Sequence, residues 1–262
     1  NCNTERNYMF PIIECGLFQI QTFSVVLLAA FFITILAGVK SQQNDILAVR
    51  WLIQKLLIIL VAAGICGRLV SVVIMMAQEK LTFAYCFIHG GFVYYGALTG
   101  GMTAGALLCI HDRKNILEMT DIALSSLPLG QAIGRLGCYL NGCCYGRETS
   151  SYFSVMYPVN GMPVRVYPTW FMESFCCFVL WYFFAHIKMR HSGETTAIYL
   201  IAYGIIRYII EWFRGDLVRG VFGRWSTSQA FSAVAVIGGI SILFYLRKRK
   251  GKITHGFSEE IP

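Results

Sequence analysis

Residues 134–146 read Gly-Arg-Leu-Gly-Cys-Tyr-Leu-Asn-Gly-Cys-Cys-Tyr-Gly, which sets Arg135, Cys138, Asn141, Cys143 and Cys144 among glycines at the end of an apolar stretch. Ionisable groups are costly at membrane depth, so such a cluster faces a cavity or a partner and marks a functional site. A second set, Arg207, Glu211 and Arg214, is spaced i, i+4, i+7, which puts the three on one helical face where the glutamate can hold both arginines. Arginine stays charged and forks onto carboxylate or phosphate oxygens, so both sets suit an anion; a structural ion-pair ladder is the alternative for the second. His89, in His-Gly-Gly, carries an imidazole, the side chain suited to proton transfer, and is the general-base candidate, with an interhelical hydrogen bond as its structural alternative.

These residues must be positioned inside a bilayer. The 262 residues are 56% apolar, 15% aromatic and 14% charged, and the mean hydropathy is +0.58, the composition of an integral membrane protein. Apolar runs long enough to span cover Leu17–Val39, Leu56–Ala77, Leu81–Ile110, Ile122–Gly142, Thr169–Ile187, Ala197–Phe213 and Gln229–Leu246. The fourth is interrupted by Pro128 and glycines, so a short surface helix with a re-entrant turn is its rival reading. The expectation is one all-α, polytopic domain over 1–262, with about seven transmembrane helices. The first residues show no basic region followed by an apolar core, so no cleavable signal peptide is expected.

Basic residues set the orientation. Lys40, Arg50, Lys55, Arg113, Lys114, Lys188, Arg190 and the Arg247-Lys248-Arg249-Lys250 tail with Lys252 fall on one side. Arg6, Lys80, Arg147, Arg165, Arg214, Arg219 and Arg224 fall on the other. The excess puts the tail 247–262 in the cytoplasm and the N-terminus outside, with external loops at about 147–167 and 214–227. The formal charge of +8 is then explained by orientation and anionic lipid, without nucleic acid. At ~1.5 Å per helical residue, Arg68, His89, Arg135, Glu173, Arg207 and Glu211 all lie within roughly 15 Å of the outer surface. Their agreement on one leaflet implies a hydrated cavity opening outward, where the abundant anion is a phospholipid head group. Gly90, Gly91, Gly96, Gly100, Gly101 and Gly105 are read as close helix packing.

The same residues resemble a known family. Gly134-Arg135-Leu136-Gly137 with Asn141 and Gly146 is similar to the prolipoprotein diacylglyceryl transferase signature, roughly G-R-x-G-N-F-x-N-x-E-x-x-G. Phe87-Ile88-His89-Gly90-Gly91 resembles its histidine-glycine-glycine segment, and Gly67-Arg68 its earlier glycine-arginine pair. Pro168 with Glu173 resembles H-P-S-Q-x-x-E, Tyr203-Gly204 through Arg207, Glu211 and Arg214 resembles Y-G-x-x-R-x-x-x-E-F-x-R, and Ser228-Gln229 fits the start of the last helix.

The resemblance implies a bacterial inner-membrane enzyme that moves a diacylglyceryl group from phosphatidylglycerol to the lipobox cysteine of a secreted precursor, releasing glycerol phosphate. It requires no metal and no nucleotide. Arg135, Arg207 and Arg68 would hold the phosphate, with Arg214 beside them in substrate binding. His89 would act as base, Glu211 and Asn141 as orienting groups, and Gly146 would allow backbone approach. Where the family pattern has asparagine this chain has Cys138, and where it has glutamate it has Cys143, followed by Cys144. The early tyrosine has no counterpart around Gln21, Thr22 and Phe23. Cys138 is therefore placed in substrate binding and Cys143 in catalysis.

Three readings of the cysteine run stand side by side. The thiols act as nucleophiles near Arg135. Alternatively they form a disulfide, Cys138 with Cys143 or with Cys176, that braces an external loop. The third reading is soft ligation of a metal together with His89. The runner-up function follows: a paralogue with another acceptor, or a lipid-binding, redox or metal-binding protein. Cys66, Cys86, Cys109, Cys176 and Cys177 read as small apolar helix residues, and Cys2 with Cys15 could pair outside. Tyr152, Phe153, Tyr157 and Tyr167 read as an interfacial aromatic belt or a cover over the cavity.

Overall fold

A computed structural model describes residues 12–15, 18–41, 45–79, 82–89, 91–159, 162–187, 189, 191–215, 221–222 and 225–256. The chain forms two compact units, Gln42–Ile122 and a second made of Asn1–Ser41 with Ala123–Pro262.

In the unit 42–122, α1 (Ile46–Glu79), α2 (Phe83–His89) and α3 (Tyr94–His111) follow one another. α1 and α3 pack through glycines. A Cβ on Gly96 would lie 2.8 Å from Val70 Cγ2 and 3.0 Å from the Cys66 carbonyl, and Gly100 abuts Cys66 and the Ala62 carbonyl. The backbones can approach this closely only because side chains are missing there, as expected for these two; Gly90 lies outside the described residues. Ala48, Val49, Trp51, Cys109, Met119 and Ile122 form the buried core at one end of the unit. Above it Asp112 accepts from Trp51 Nε1 at 2.6 Å and pairs with Lys55 Nζ at 3.0 Å and His111 Nδ1 at 2.7 Å.

One segment departs from expectation. Leu81–Ile110 was read as a continuous span, yet α2 and α3 meet at 95°. The break falls between His89 and Tyr94, a stretch that includes Gly91, where no side chain resists a change of direction.

In the other unit, a hairpin of β1 (Ile12–Cys15) and β2 (Phe18–Gln21) leads into a helix, Thr22–Ser41, which we call αN. Next comes α4 (Ile116–Leu140), whose residues from 123 onward belong here. Gly38 of αN meets Ser126, and Gly137 of α4 meets Val26 and Phe23, so small residues seat αN on α4. Pro128 is enclosed within α4, which continues through it.

β3 (Val155–Val159) and β4 (Met162–Val166) form an antiparallel hairpin, followed by α5 (Thr169–His186) and α6 (Glu194–Glu211). The two-residue strands β5 (Val221–Phe222) and β6 (Trp225–Ser226) then precede α7 (Thr227–Gly256). Gly204 of α6 rests on Val236 and the Ser232 carbonyl of α7, and Gly239 of α7 rests on the Ala197 carbonyl. The expected loop 147–167 thus contains a hairpin, whose Tyr157 and Val166 bury against Trp170.

The helical, membrane-embedded class stands. On length and composition, three helices cross a membrane among the described residues, Thr22–Ser41, Ile46–Ala77 and Thr227–Lys248, and the bent pair α2–α3 makes a fourth. On this measure α4, α5 and α6, which carry Arg135, Glu173, Arg207 and Glu211, do not add to the expected seven.

Candidate functional site

Three helices of the second unit bring charged groups to one point. Ser174 Oγ of α5 donates to the Ala132 carbonyl of α4 at 2.8 Å, tying the two helices together one residue beyond Glu173. Glu173 is thereby aimed at the last turns of α4, where Arg135 Nη2 meets its Oε1 at 2.8 Å. From α6, Tyr203, Arg207 and Glu211 recur every four residues on one face. Tyr203 OH donates to Glu173 Oε1 at 3.1 Å, and Arg207 Nη1 lies 3.6 Å from Oε2 of the same carboxylate. Arg207 Nη2 reaches Glu211 Oε2 at 3.1 Å and donates to Ser228 Oγ of α7 at 3.0 Å. Glu173 and Glu211 are almost fully buried. Two carboxylates therefore neutralise two guanidiniums in a low-dielectric setting, the condition under which buried charge is tolerated.

Arg135, Glu173, Thr169, Trp170, Cys144 and Arg214 line a narrow cleft beside this network, closed to a water molecule in this conformation. Arg214 brings a third guanidinium to this lining, and guanidinium forks suit an anion. Its rim is backbone. Gly146 pairs with Arg214 and donates its N–H to the Tyr167 carbonyl at 3.2 Å, while Arg147 N–H donates to the Phe213 carbonyl at 2.8 Å. The resemblance gave Gly146 a backbone-approach role; the backbone that approaches it belongs to Tyr167. The Arg147 guanidinium lies over the Tyr167 and Phe213 rings, at 5.7 and 6.0 Å from their centroids.

The cysteine run lies at the same end of α4. The Sγ atoms of Cys138, Cys143 and Cys144 all lie within 4.8 Å of one another. All three are free thiols, as are Cys66, Cys86, Cys109, Cys176 and Cys177, which corrects the disulfide reading for Cys138 with Cys143 or Cys176. The side chains of Cys2 and Cys15 lie outside the described residues. The convergence has a backbone cause: Gly142 and Cys144 have φ of +79° and +63°, which turn the chain back on itself. Trp170 Nε1 donates to the Cys143 carbonyl at 2.6 Å and Thr169 Oγ1 to the Cys144 carbonyl at 3.0 Å, which fixes that geometry. Hydrogen bonds from the Cys138 and Cys143 thiols, then the Arg214 and Arg135 charges, hold the Cys144 thiol well below its ordinary range. Cys143 shifts the other way: Cys138 favours its thiolate, but its own bond to Cys144 and burial outweigh that. Exposed Asn141 follows α4, with its side chain on the Cys143 thiol.

Arg68 and His89 belong to the unit 42–122. Arg68 donates to the carbonyls of Phe87, Ile88 and Gly91, from Nη1 to Gly91 at 2.9 Å and from Nη2 to Ile88 at 3.0 Å, so it caps the end of α2. His89 stacks on Tyr85 with centroids 4.3 Å apart, and its Nδ1 lies 3.2 Å from the Tyr85 carbonyl. A nitrogen facing a carbonyl carries the proton, so the neutral ring presents Nε2 as its acceptor. His89 is not part of the sulfur cluster among the described residues.

Sequence reasoning grouped Glu173 with the outer-leaflet polar residues yet gave it no role in the site, and it gave Tyr203 and Ser228 none beyond a match. The signal for Tyr203 was present, since Tyr203, Arg207 and Glu211 keep a spacing of four. For Glu173 it was a lone carboxylate in an apolar helix.

The profile of the prolipoprotein diacylglyceryl transferase family matches residues 11–245. A phosphatidylglycerol–prolipoprotein diacylglyceryl transferase 2 of Clostridium perfringens is 37% identical over 208 residues, which cover 74% of this chain and 78% of that protein. The similarly named protein of Clostridioides difficile is 32% identical over 81% of this chain and 82% of its own length. That of Thermotoga petrophila is 30% identical over 92% of this chain and 84% of its own length.

Proposed function

Because the chain belongs to the prolipoprotein diacylglyceryl transferase family, we propose that it transfers the diacylglyceryl group of phosphatidylglycerol to the cysteine thiol of a precursor lipoprotein, at the outer leaflet of a bacterial inner membrane. The observation that carries the reading is the cleft lined by Arg135 and Arg214 over the Glu173-centred network. Arg135 and Arg214 hold the phosphodiester and receive the charge that develops on the leaving glycerol phosphate. Donors fixed before the reaction need no reorganisation at the transition state, and Glu173, Glu211, Tyr203 and Ser228 fix two of the three guanidiniums involved.

Arg207 is more enclosed than Arg135, so it acts through Glu173 as a positioning residue. In the other unit, Arg68 holds the end of the helix that bears His89, whose Nε2 serves as the base for the acceptor thiol. The basic tail after Arg247 lies in the cytoplasm, as the flanking charges require.

The test uses the full chain in detergent with phosphatidylglycerol labelled in its glycerol head group and a peptide with one lipobox cysteine. Mass spectrometry is expected to find diacylglyceryl-peptide and labelled glycerol phosphate in equal amounts. Arg135→Lys keeps the charge but loses the fork, and is expected to slow turnover by about 10²–10³-fold. A folded wild-type protein that yields no lipidated peptide overturns the reading.

A further inference from the structure

We propose that Cys138, Cys143 and Cys144 form a three-thiolate site for a soft divalent metal ion of the zinc class, whose fourth position takes the acceptor thiol and activates it for transfer. The second half of this inference rests on the transferase reading; the metal site itself does not.

The geometry comes first. Three sulfurs at about 2.3 Å from a tetrahedral zinc ion are about 3.8 Å apart, and here every Sγ pair lies within 4.8 Å. Neighbouring residues in regular backbone send their side chains apart, so Cys143 and Cys144 converge only through the left-handed turn at Gly142 and Cys144. A non-glycine residue at positive φ persists only where its surroundings over-determine it. Here the Trp170 and Thr169 side chains grip the two cysteine carbonyls. The thiols are therefore aimed at one point before anything binds there.

The ligand count comes next. Among the described residues no histidine, aspartate or glutamate joins the three thiols. Three protein ligands with an open fourth position is the pattern of zinc sites that do chemistry, whereas structural sites close with four. Three thiolates around a divalent cation leave one net negative charge, and Arg135 and Arg214 share the cleft with Cys144 to offset it. The same two arginines hold the leaving phosphate, so nucleophile and leaving group meet in one cleft. Cys138 and Cys143 also stand where the family pattern has an amide and a carboxylate, which supplies a reason for the replacement.

In the step itself, the acceptor thiol loses its proton to solvent water and binds as a thiolate in the open position. Its sulfur attacks the glyceryl carbon that carries the phosphoester oxygen. The C–S bond forms, the C–O bond breaks with its electron pair on oxygen, and glycerol phosphate departs as an anion. The metal keeps its oxidation state throughout. The thioether product is a poorer ligand than the thiolate and leaves.

The test uses the full chain purified in detergent under reducing conditions. Elemental analysis is expected to find about one zinc ion per chain. Cobalt(II) added to metal-free protein should produce sulfur-to-metal charge-transfer absorption, and the lipobox peptide should shift the cobalt ligand-field bands while its serine version leaves them unchanged. Cys138→Ser and Cys144→Ser should bind at least about tenfold more weakly, with circular dichroism confirming their helix content. Chelation should slow peptide lipidation by at least about a hundredfold, with zinc restoring it. Wild-type protein that takes up neither zinc nor cobalt overturns the site. A loaded site whose spectrum ignores the peptide thiol, or lipidation that survives removal of the metal, overturns its role in activating the acceptor. A cobalt spectrum that answers the thiol without any lipidated product upholds the site and overturns the transferase reading.

Discussion

Arg135 Nη2 stands 2.8 Å from Glu173 Oε1, and the glutamate side chain is only 3% exposed. Its second oxygen faces Arg207, so one carboxylate sets the positions of two guanidiniums from different helices. Glu173→Gln keeps the shape and removes the charge, leaving both arginines under-compensated in a dry setting. The expected cost is about 3–5 kcal/mol of stability, read as a lower unfolding midpoint in detergent, together with a large loss of lipidation. An unchanged midpoint would sink the view of Glu173 as the hub of the site.

The reach of the sequence is visible in this trio. Arg207 with Glu211 was legible because i, i+4 spacing on a helix is local geometry. The Glu173 partnership was not, because it depends on how α4, α5 and α6 pack, which no spacing within one segment encodes. The sequence singled out Arg135 without showing what holds it. The bend between α2 and α3 escaped for another reason: hydropathy averaged over a span-length window does not register a change of direction within it. The sulfur cluster was legible as composition only. Adjacent Cys143 and Cys144 point to one place because of the φ values at Gly142 and Cys144, and a cysteine at positive φ leaves no mark in the sequence.

Arg68 makes a separate prediction, since its guanidinium holds the carbonyls of Phe87, Ile88 and Gly91 at the end of the helix that carries His89. A lysine ammonium is a point charge and does not span three carbonyls. Arg68→Lys should therefore loosen α2. Amide exchange at residues 83–89 is expected to quicken by about tenfold or more, from about 1.5 kcal/mol per lost charged hydrogen bond. Transfer activity should fall with it. Faster turnover loss without any change in exchange would mean that Arg68 touches substrate directly instead.

Asp112 gives a pH dependence with a definite sign. The hydrogen bond from His111, then those from Trp51 and Lys55, hold its carboxyl well below the usual carboxylate range. A depressed folded pKa contributes stability above the unfolded value of about 3.9, lost as pH falls below it toward the folded value. Asp112→Asn should lower the unfolding midpoint by a constant amount from about pH 7 to about pH 5, and the gap should close on further acidification. Trp51, which donates to Asp112, offers a local fluorescence probe of the same transition. A gap that widens below about pH 4 would reverse the assignment.

Gly146 tests whether the rim of the cleft is fixed by backbone contact. A Cβ there would run into the Tyr167 carbonyl, and one on Gly215 would lie 2.6 Å from Arg147 Cα. Backbone cannot swing aside as the tip of a side chain can, so Gly146→Ala and Gly215→Ala are each expected to cost about 1–3 kcal/mol. Both should also weaken phosphatidylglycerol binding, because Gly146 pairs with Arg214 and Gly215 follows it. Gly134→Ala is the control. It sits in α4 with nothing within 4 Å of an added Cβ, so it should stabilise the helix by up to about 1 kcal/mol. If all three substitutions behave alike in thermal unfolding, steric contact at Tyr167 and Arg147 is not what sets the position of Arg214.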